Sequence, residues 1–259
     1  MTEYIDGFQG REFMDKKARG DISSIYNADG IPLSKFPRLE NETDDTSRFT
    51  RAFEKHSTVV LDSDVSVSYI NIPDNCKLIC NGIYTINTTG TIALGYQSYL
   101  LGNNLSIEQT SYVENMKIVS LSKWCKVVLY QINGYKLQNL KQFKGTSATA
   151  IHCQYSDFVQ VDILRSIKYC KIAFYIKSGA SGSGNTINRS YFNCAWIGDC
   201  YKCFVSDEST SIMINTSAYM EQCTIGYELR AGFYGHHEVR FDHVDNWFIN
   251  LLPEFRTRM

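Results

Sequence analysis

Apolar and polar residues alternate along most of the chain from Thr58 onward. The runs VVLDSDVSVSYINIP, CKLICNGIYTIN and TIALGYQSYLLGNNLSIEQ are rich in β-branched and aromatic residues and are interrupted by Asn, Gly and Asp. A period of two is typical of strands that bury one face, and the interruptions are typical of turns. The pattern therefore predicts many short strands and no further helix between residues 58 and 259.

One amphipathic helix is predicted before the strands begin. Asp45 and Thr46 offer an N-cap, and Phe49, Ala52 and Phe53 follow at the spacing of one helical face. We expect this helix to run from Thr46 to about Lys55.

The residues upstream of the helix divide into two segments. Residues 1–30 carry apolar positions at a roughly heptad-like spacing, which fits a helical stalk or anchoring segment and equally fits a frayed terminus. The predicted organisation is a stalk at 1–30, a linker with the helix at 31–57, and a strand-rich domain at 58–259.

The strand-rich part repeats loosely. Four pairs of an apolar residue and Asp or Asn recur at intervals of 26, 27 and 27 residues: Val161-Asp162, Ile187-Asn188, Ile214-Asn215 and Phe241-Asp242. A second column contains Cys170, Cys194, Cys223 and Asn246.

A helix-free repeat of this length is typical of a β-solenoid, in which each repeat buries its apolar face against its neighbours. We therefore predict an all-β fold, a right-handed single-stranded parallel β-helix capped by the helix at 46–55. Val161, Ile187, Ile214 and Phe241 are expected to stack, and the Asp/Asn positions to form a polar ladder.

Composition and charge exclude several classes of protein. The chain has 44% hydrophobic residues and a net charge of -1, so no global positive field recruits nucleic acid or an anionic membrane. No apolar segment resembles a signal peptide or a membrane span. The nine cysteines are expected to be buried free thiols, and no spacing matches a known metal or cofactor motif, so neither is expected.

The segment ENETDDTSRFTRAFEKHSTVVLDSDVSVSYINIPDNCKLICNG resembles the opening of pectate-lyase-like proteins of phage tailspikes and appendages. Asp44, Asp45 and Thr46 match the motif that opens the capping helix of that family, and Phe49 and Ala52 match its apolar positions. The glycine-rich sequence that usually precedes the motif is replaced by LENET. The specific resemblance covers about 60 residues.

The resemblance implies a virion protein of the tail or an appendage, made in the host cytoplasm, that contacts a host cell-surface glycan: capsule, wall polysaccharide or teichoic acid. Members of the family include glycoside hydrolase depolymerases, lyases and domains that only bind or assemble, and many are homotrimers. Other virion tail proteins would contact the N-terminus. A non-catalytic structural trimer is the alternative from a different class.

Glycoside hydrolysis requires two carboxylates, and Glu221 and Asp245 are the candidates. Glu221 departs from the residues at its predicted equivalent positions, Lys168, Phe192 and Val244. Neighbouring repeats lie about 4.8 Å apart, which suits the close pair of a retaining enzyme. Surface acids without a role are the competing interpretation.

Substrate binding is expected from Arg189, Tyr191, Tyr219 and Arg240, whose side chains suit sugar stacking and anionic groups. The tyrosines fit the core equally well. A lyase would instead use Tyr234, His236 and His237 with Arg240.

Phe and Tyr residues number 14 and 17, more than a narrow core holds, and this favours an apolar interface and a homotrimer.

Overall fold

A computed structural model describes residues 30–136, 148–154, 157–177, 187–207, 212–230, 233–234 and 237–250. The proposed stalk at 1–30 lies outside these residues, except for Gly30. The strands of the described part are β1 (Ile31–Pro32), β2 (Thr58–Leu61), β3 (Val65–Val67), β4 (Ile70–Ile72), β5 (Lys77–Cys80), β6 (Tyr84–Thr88), β7 (Ile92–Leu94), β8 (Tyr99–Gln109), β9 (Lys117–Leu121), β10 (Lys126–Asn133), β11 (Thr149–Gln154), β12 (Gln160–Lys168), β13 (Ile172–Lys177), β14 (Ile187–Gly198), β15 (Lys202–Asp207), β16 (Ile212–Glu221), β17 (Ile225–Leu229), β18 (Phe233–Tyr234), β19 (His237–Asp242) and β20 (Asn246–Asn250).

The strands form two long sheets whose pairings are all parallel. The first sheet has the order β1-β2-β5-β8-β10-β12-β14-β16-β18, with β19 also on β16 and β3 reaching β8 through β6. The second has the order β20-β17-β15-β13-β11-β9-β7-β4. From β8 onward the chain visits the two sheets in turn, and we call one visit to both sheets a rung. The fold is therefore all-β and built on parallel sheets, as predicted.

The core is built from side chains that repeat in register from rung to rung. Val59, Leu78, Leu100, Val127 and Val161 pair in succession, and each is fully buried. Their β-branched and Leu side chains pack well between parallel strands that bury one face. Because no rung buries this face alone, the stack as a whole holds each rung in place.

The predicted register is wrong. Val161 pairs with Phe192 and Ile187 with Ile212, while Phe241 pairs with Met220. The reason is that rung length varies: it is 34 residues between Lys126 and Gln160, 31 between Gln160 and Tyr191, and 21 between Thr216 and His237. A polar ladder does exist, but Asp162 pairs with Asn193 instead of Asn188: Asn193 Nδ2 donates to Asp162 Oδ1 at 2.7 Å.

The cysteines are all buried and free, as expected. Cys170, Cys200 and Cys223 form one column, because each follows by two residues a member of the paired series Lys168, Gly198 and Glu221. Cys194 is not in this column and pairs with Ile163 and Ala218. The three thiols of the column donate to main-chain carbonyls two residues earlier, at 3.3, 3.4 and 3.2 Å. The thiols therefore act as small buried groups that satisfy turn carbonyls.

The predicted helix is confirmed as α1 (Thr46–Phe53), which follows a 3-10 turn at Leu33–Lys35. Phe49, Ala52 and Phe53 are buried, and α1 packs against β2 and against β4, the terminal strand of the second sheet. The side chain of Asp45 does not cap the helix. Asp44 Oδ1 accepts a bond from the Thr46 N–H at 2.9 Å instead.

Within the described ranges, none of the helices combines the length and the hydropathy needed to cross a membrane.

Candidate functional site

A column of mostly polar residues marks the ends of the long strands in the first sheet. In rung order it contains Glu108, Asn133, Lys168, Gly198, Glu221 and Asp242. Gln131 and Asn133 donate to Glu108 Oε1 at 3.2 and 2.7 Å, while burial raises the pKa of Glu108. At the other end of the column, Glu221 and Asp242 bring two carboxylates together on neighbouring rungs.

The carboxylates of Glu221 and Asp242 form a cluster with the imidazole of His243. One ligand-type atom from each lies within 4.8 Å of the others. The Tyr219 hydroxyl donates to Asp242 Oδ2 at 3.0 Å, and His243 Nδ1 lies 2.9 Å from Asp242 Oδ1. The bond to Asp242 raises the pKa of Tyr219. The cluster thus holds Asp242 from both sides.

These three residue types can also ligate a divalent cation. Asp242 contacts Tyr219 through one oxygen and His243 through the other, and each oxygen keeps a further lone pair. By its chemistry the cluster can serve as a cation site or as a pair of neighbouring carboxylates.

A shallow groove lies beside the pair on the outer face of β16 and β19. It has a volume of about 480 Å³, and Ser217, Tyr219, Glu238 and Arg240 are among the residues that line it. The Arg240 guanidinium lies over the Tyr219 ring, 5.4 Å from its centroid. Tyr219 therefore links the groove, which its ring lines, to Asp242, which its hydroxyl contacts.

A second groove of about 250 Å³ continues from the first toward β12. It is lined by Asp162, Leu164 and Asn193 and shares Cys194, Ala195 and Ser217 with the first groove. Asp162 accepts bonds from Asn193 and from Gln160 Nε2, both at 2.7 Å. Together the two grooves form a polar track that crosses β12, β14, β16 and β19. The Tyr219 ring and the Arg240 guanidinium lie at one end of this track.

Glu221 and Tyr219 lie two residues apart on β16, and Tyr219 pairs in register with Arg240. Glu221 pairs in register with Asp242 rather than lying opposite Asp245. Asp245 lies in the turn between β19 and β20, where its N–H bonds to the Cys223 carbonyl at 3.2 Å. The expectation that Asp245 is the neighbouring carboxylate is therefore corrected to Asp242, because the last rung is shorter than the assumed repeat.

The other predicted binding residues lie along β14 and β18 to β19. Tyr191 is 47% exposed and lies two residues before Asn193 on the same face. Arg189 precedes Tyr191 by two positions on β14, and only its backbone is described. For the lyase set, Tyr234 and His237 are placed in strands and His236 lies outside the described residues. The catalytic and binding roles of all these residues stay predictions.

Comparison with known proteins gives no relative: no family model, no curated protein and no solved structure matches this chain.

Proposed function

We propose that the chain is a right-handed single-stranded parallel β-helix from a phage tail or appendage, and that it binds a capsule, wall polysaccharide or teichoic acid of the host surface. The finer fold is supported by the all-parallel pairing and by the alternation of the chain between two sheets. The setting is supported by the Asp44-Asp45-Thr46 opening before α1. Homotrimer formation and contact of the N-terminus with other tail proteins belong to the same proposal.

The observation that carries a catalytic role is the Glu221–Asp242 pair. Retaining glycosidases place their two carboxyl groups about 5 to 5.5 Å apart, and here ligand oxygens of the two residues lie within 4.8 Å. Hydrogen bonds hold Asp242 in a fixed orientation, which suits the nucleophile. Glu221 is then the proton donor to the leaving sugar oxygen.

The groove supports the binding role. A glycan that lies across the outer face of β12, β14, β16 and β19 meets the Asp162–Asn193 ladder at one end and the Tyr219–Arg240 pair at the other. Arg240 suits a phosphate or uronate group, and the Tyr219 ring suits the apolar face of a sugar. The carboxylate pair lies at this second end.

The test compares Glu221→Gln and Asp242→Asn with Asp245→Asn as the matched control. Each variant is incubated with purified capsule, wall polysaccharide and teichoic acid while reducing ends, phosphate and the absorbance of unsaturated products are followed. We expect the wild type to release reducing ends and the first two variants to lose at least about 100-fold in rate, the usual contribution of a positioned acid or nucleophile. Asp245→Asn should cleave normally.

Melting temperatures identify variants that fail by unfolding. Normal cleavage by Glu221→Gln would place the chemistry elsewhere, and unsaturated products would show elimination instead of hydrolysis. If the wild type binds a glycan without cleaving it, the protein is an adhesin. If it binds none of the three fractions, the structural trimer is supported instead.

A further inference from the structure

A second surface feature lies outside the groove. It is formed by the turns that precede the first-sheet strand in four successive rungs. Asn75, Gln97, Trp124 and Phe158 each lie two residues before a strand, and those strands pair in the register Lys77, Tyr99, Lys126, Gln160. All four residues have positive φ, at 60, 51, 62 and 55°. We call them the corner column.

Main-chain bonds connect the successive corners. The Asn75 N–H donates to the Tyr96 carbonyl at 2.8 Å, the Gln97 N–H to the Lys123 carbonyl at 3.0 Å, and the Trp124 N–H to the Asp157 carbonyl at 2.9 Å. Each corner is therefore fixed by its neighbour, and the column is a rigid row along the stack.

Trp and Phe are unexpected in this row. The left-handed conformation suits Asn, costs most residues about 1–2 kcal/mol, and is an outlier for bulky side chains. Such strain is typical of sites where the side chain has a task besides folding. Folding alone would favour Asn or Gly at both positions.

The two rings do not serve the core. The residue after each corner is the one that enters the interior: Cys76, Ser98, Cys125 and Val159 are all buried. Trp124 is 43% exposed, and its ring stacks on Phe158 with centroids 4.1 Å apart and planes at 18°. Each ring covers one face of the other, and this stacked pair, which we call the platform, lies at the surface through Trp124.

Polar residues lie near this platform on the preceding rungs. Asn75 and Gln97 present exposed amides, and Tyr96, 41% exposed, lies beside Gln97. Lys123 directly precedes Trp124. An exposed part of an aromatic ring near amides that both donate and accept matches a sugar ring, which is apolar on its C–H face and carries hydroxyls at its edge.

We propose that the Trp124–Phe158 platform, with the amides of Gln97 and Asn75, is a second glycan-binding site, separate from the groove. It shares its ligand class with the proposed function and rests on that function. A second contact on one rigid chain raises the affinity for a long glycan, because the second binding event becomes intramolecular. Short fragments occupy one site only and gain nothing.

The test uses Trp124→Asn and Phe158→Asn, singly and together, since Asn adopts the same backbone at Asn75. Tyr112→Asn is the matched control, because Tyr112 is 49% exposed and lies outside both the column and the paired strands. Retardation in native gels containing purified wall polysaccharide, capsule or teichoic acid reports binding, and light scattering reports size. We expect the double variant to bind the retarding polymer at least tenfold more weakly, with normal turnover of short fragments and no loss of melting temperature.

Unchanged retardation of the double variant, with a retarded wild type, overturns the platform and leaves the groove proposal standing. A change in particle mass on substitution also overturns it, since the stack would then be a subunit contact. If no polymer retards the wild type, the proposed function fails and this site fails with it.

Discussion

Asp45 is a buried carboxylate that ties the helix to the first strands. Its oxygens accept bonds from Arg38 and Arg48 at 2.7 Å and from the Ser66 N–H at 2.8 Å. Burial opposes ionisation of Asp45, but these donors outweigh it and lower its pKa from 3.8 to about 2. The side chain is only 3% exposed, so solvent screens these contacts little.

The depressed pKa of Asp45 predicts an acid-labile fold. Its contribution, about 2 kcal/mol, is complete above pH 4 and is lost as pH falls toward 2. Asp45→Asn should lower the free energy of unfolding at pH 7 by at least this amount and weaken the dependence on pH between 4 and 2. Urea unfolding at pH 7, 4 and 2.5 measures both.

Glu40→Gln, at an exposed position near the same ion pairs, is the control for charge removal and should leave both quantities unchanged. If Asp45→Asn retains the wild-type acid dependence, other carboxylates carry it.

His152 titrates in a separate window. It is 7% exposed and its ring stacks on Tyr175 with centroids 5.2 Å apart. Burial, followed by the charges of Lys117 and Lys177, lowers the pKa of His152 from 6.5 to about 4. Because the folded state favours the neutral ring, stability is complete above pH 6.5 and falls, by up to about 3 kcal/mol, as pH drops to 4.

We expect His152→Phe to remove the loss of stability between pH 6.5 and 4, since Phe fills a similar volume and carries no proton. Urea midpoints at pH 7.5, 6 and 5 test this. A variant whose midpoint falls with pH as steeply as that of the wild type would show that His152 is not the titrating group.

The candidate site was only half predictable at the level of residues. Glu221 is indicated because it departs from the residues at its predicted equivalent positions, and Tyr219 and Arg240 because their side chains suit a sugar ring and an anionic group. Asp242 was missed as their partner, since it lies 21 residues after Glu221 and the assumed repeat was 26 or 27. Contacts between rungs depend on local loop length, which single-sequence periodicity averages away.

Among the elements, the second sheet contains a ladder of flat rings. Phe174, Phe204, Tyr227 and Phe248 occupy successive rungs with centroids 4.7, 5.1 and 5.2 Å apart and planes within 11° of parallel. Phe204 is 1% exposed, whereas Phe248, in the last strand, is 61% exposed.

The position of each ring in this ladder sets the cost of removing it. Phe204→Ala should lower the free energy of unfolding by about 3–5 kcal/mol, because it leaves a cavity between two stacked rings. Phe248→Ala, the same change at the exposed end, should cost less than about 1 kcal/mol. Equal effects in urea unfolding would show that the ladder is not a continuous core.

The sequence predicts which segments are helix and which are strand, but it does not predict which residues pair between strands. The helix was located because Phe49, Ala52 and Phe53 repeat at helical spacing. The strands were located because of their alternation. Partners such as Val161 and Phe192 are not predictable, because an alternating pattern fits equally well after any shift by an even number of residues.

At the scale of the whole molecule, apolar surface remains exposed on the described chain. Ile83, Leu164 and Tyr191 are 83, 48 and 47% exposed, and Trp247 and Phe248 exceed one half. The proposed homotrimer would cover part of this surface. We expect light scattering at micromolar concentration to give about three times 29.6 kDa, and a particle of 29.6 kDa would contradict the trimer.

The rungs differ in length, whereas the pairing of their strands is regular. The connection from Asn133 to Thr149 is much longer than that from Glu221 to Ile225, yet both leave the ladders aligned. Added connection length costs little entropy, roughly 0.6 kcal/mol for each doubling. The length of a connection therefore has little effect on the free energy of the paired strands. Connections can therefore be lengthened or shortened in sequence while the pairing of the strands stays the same.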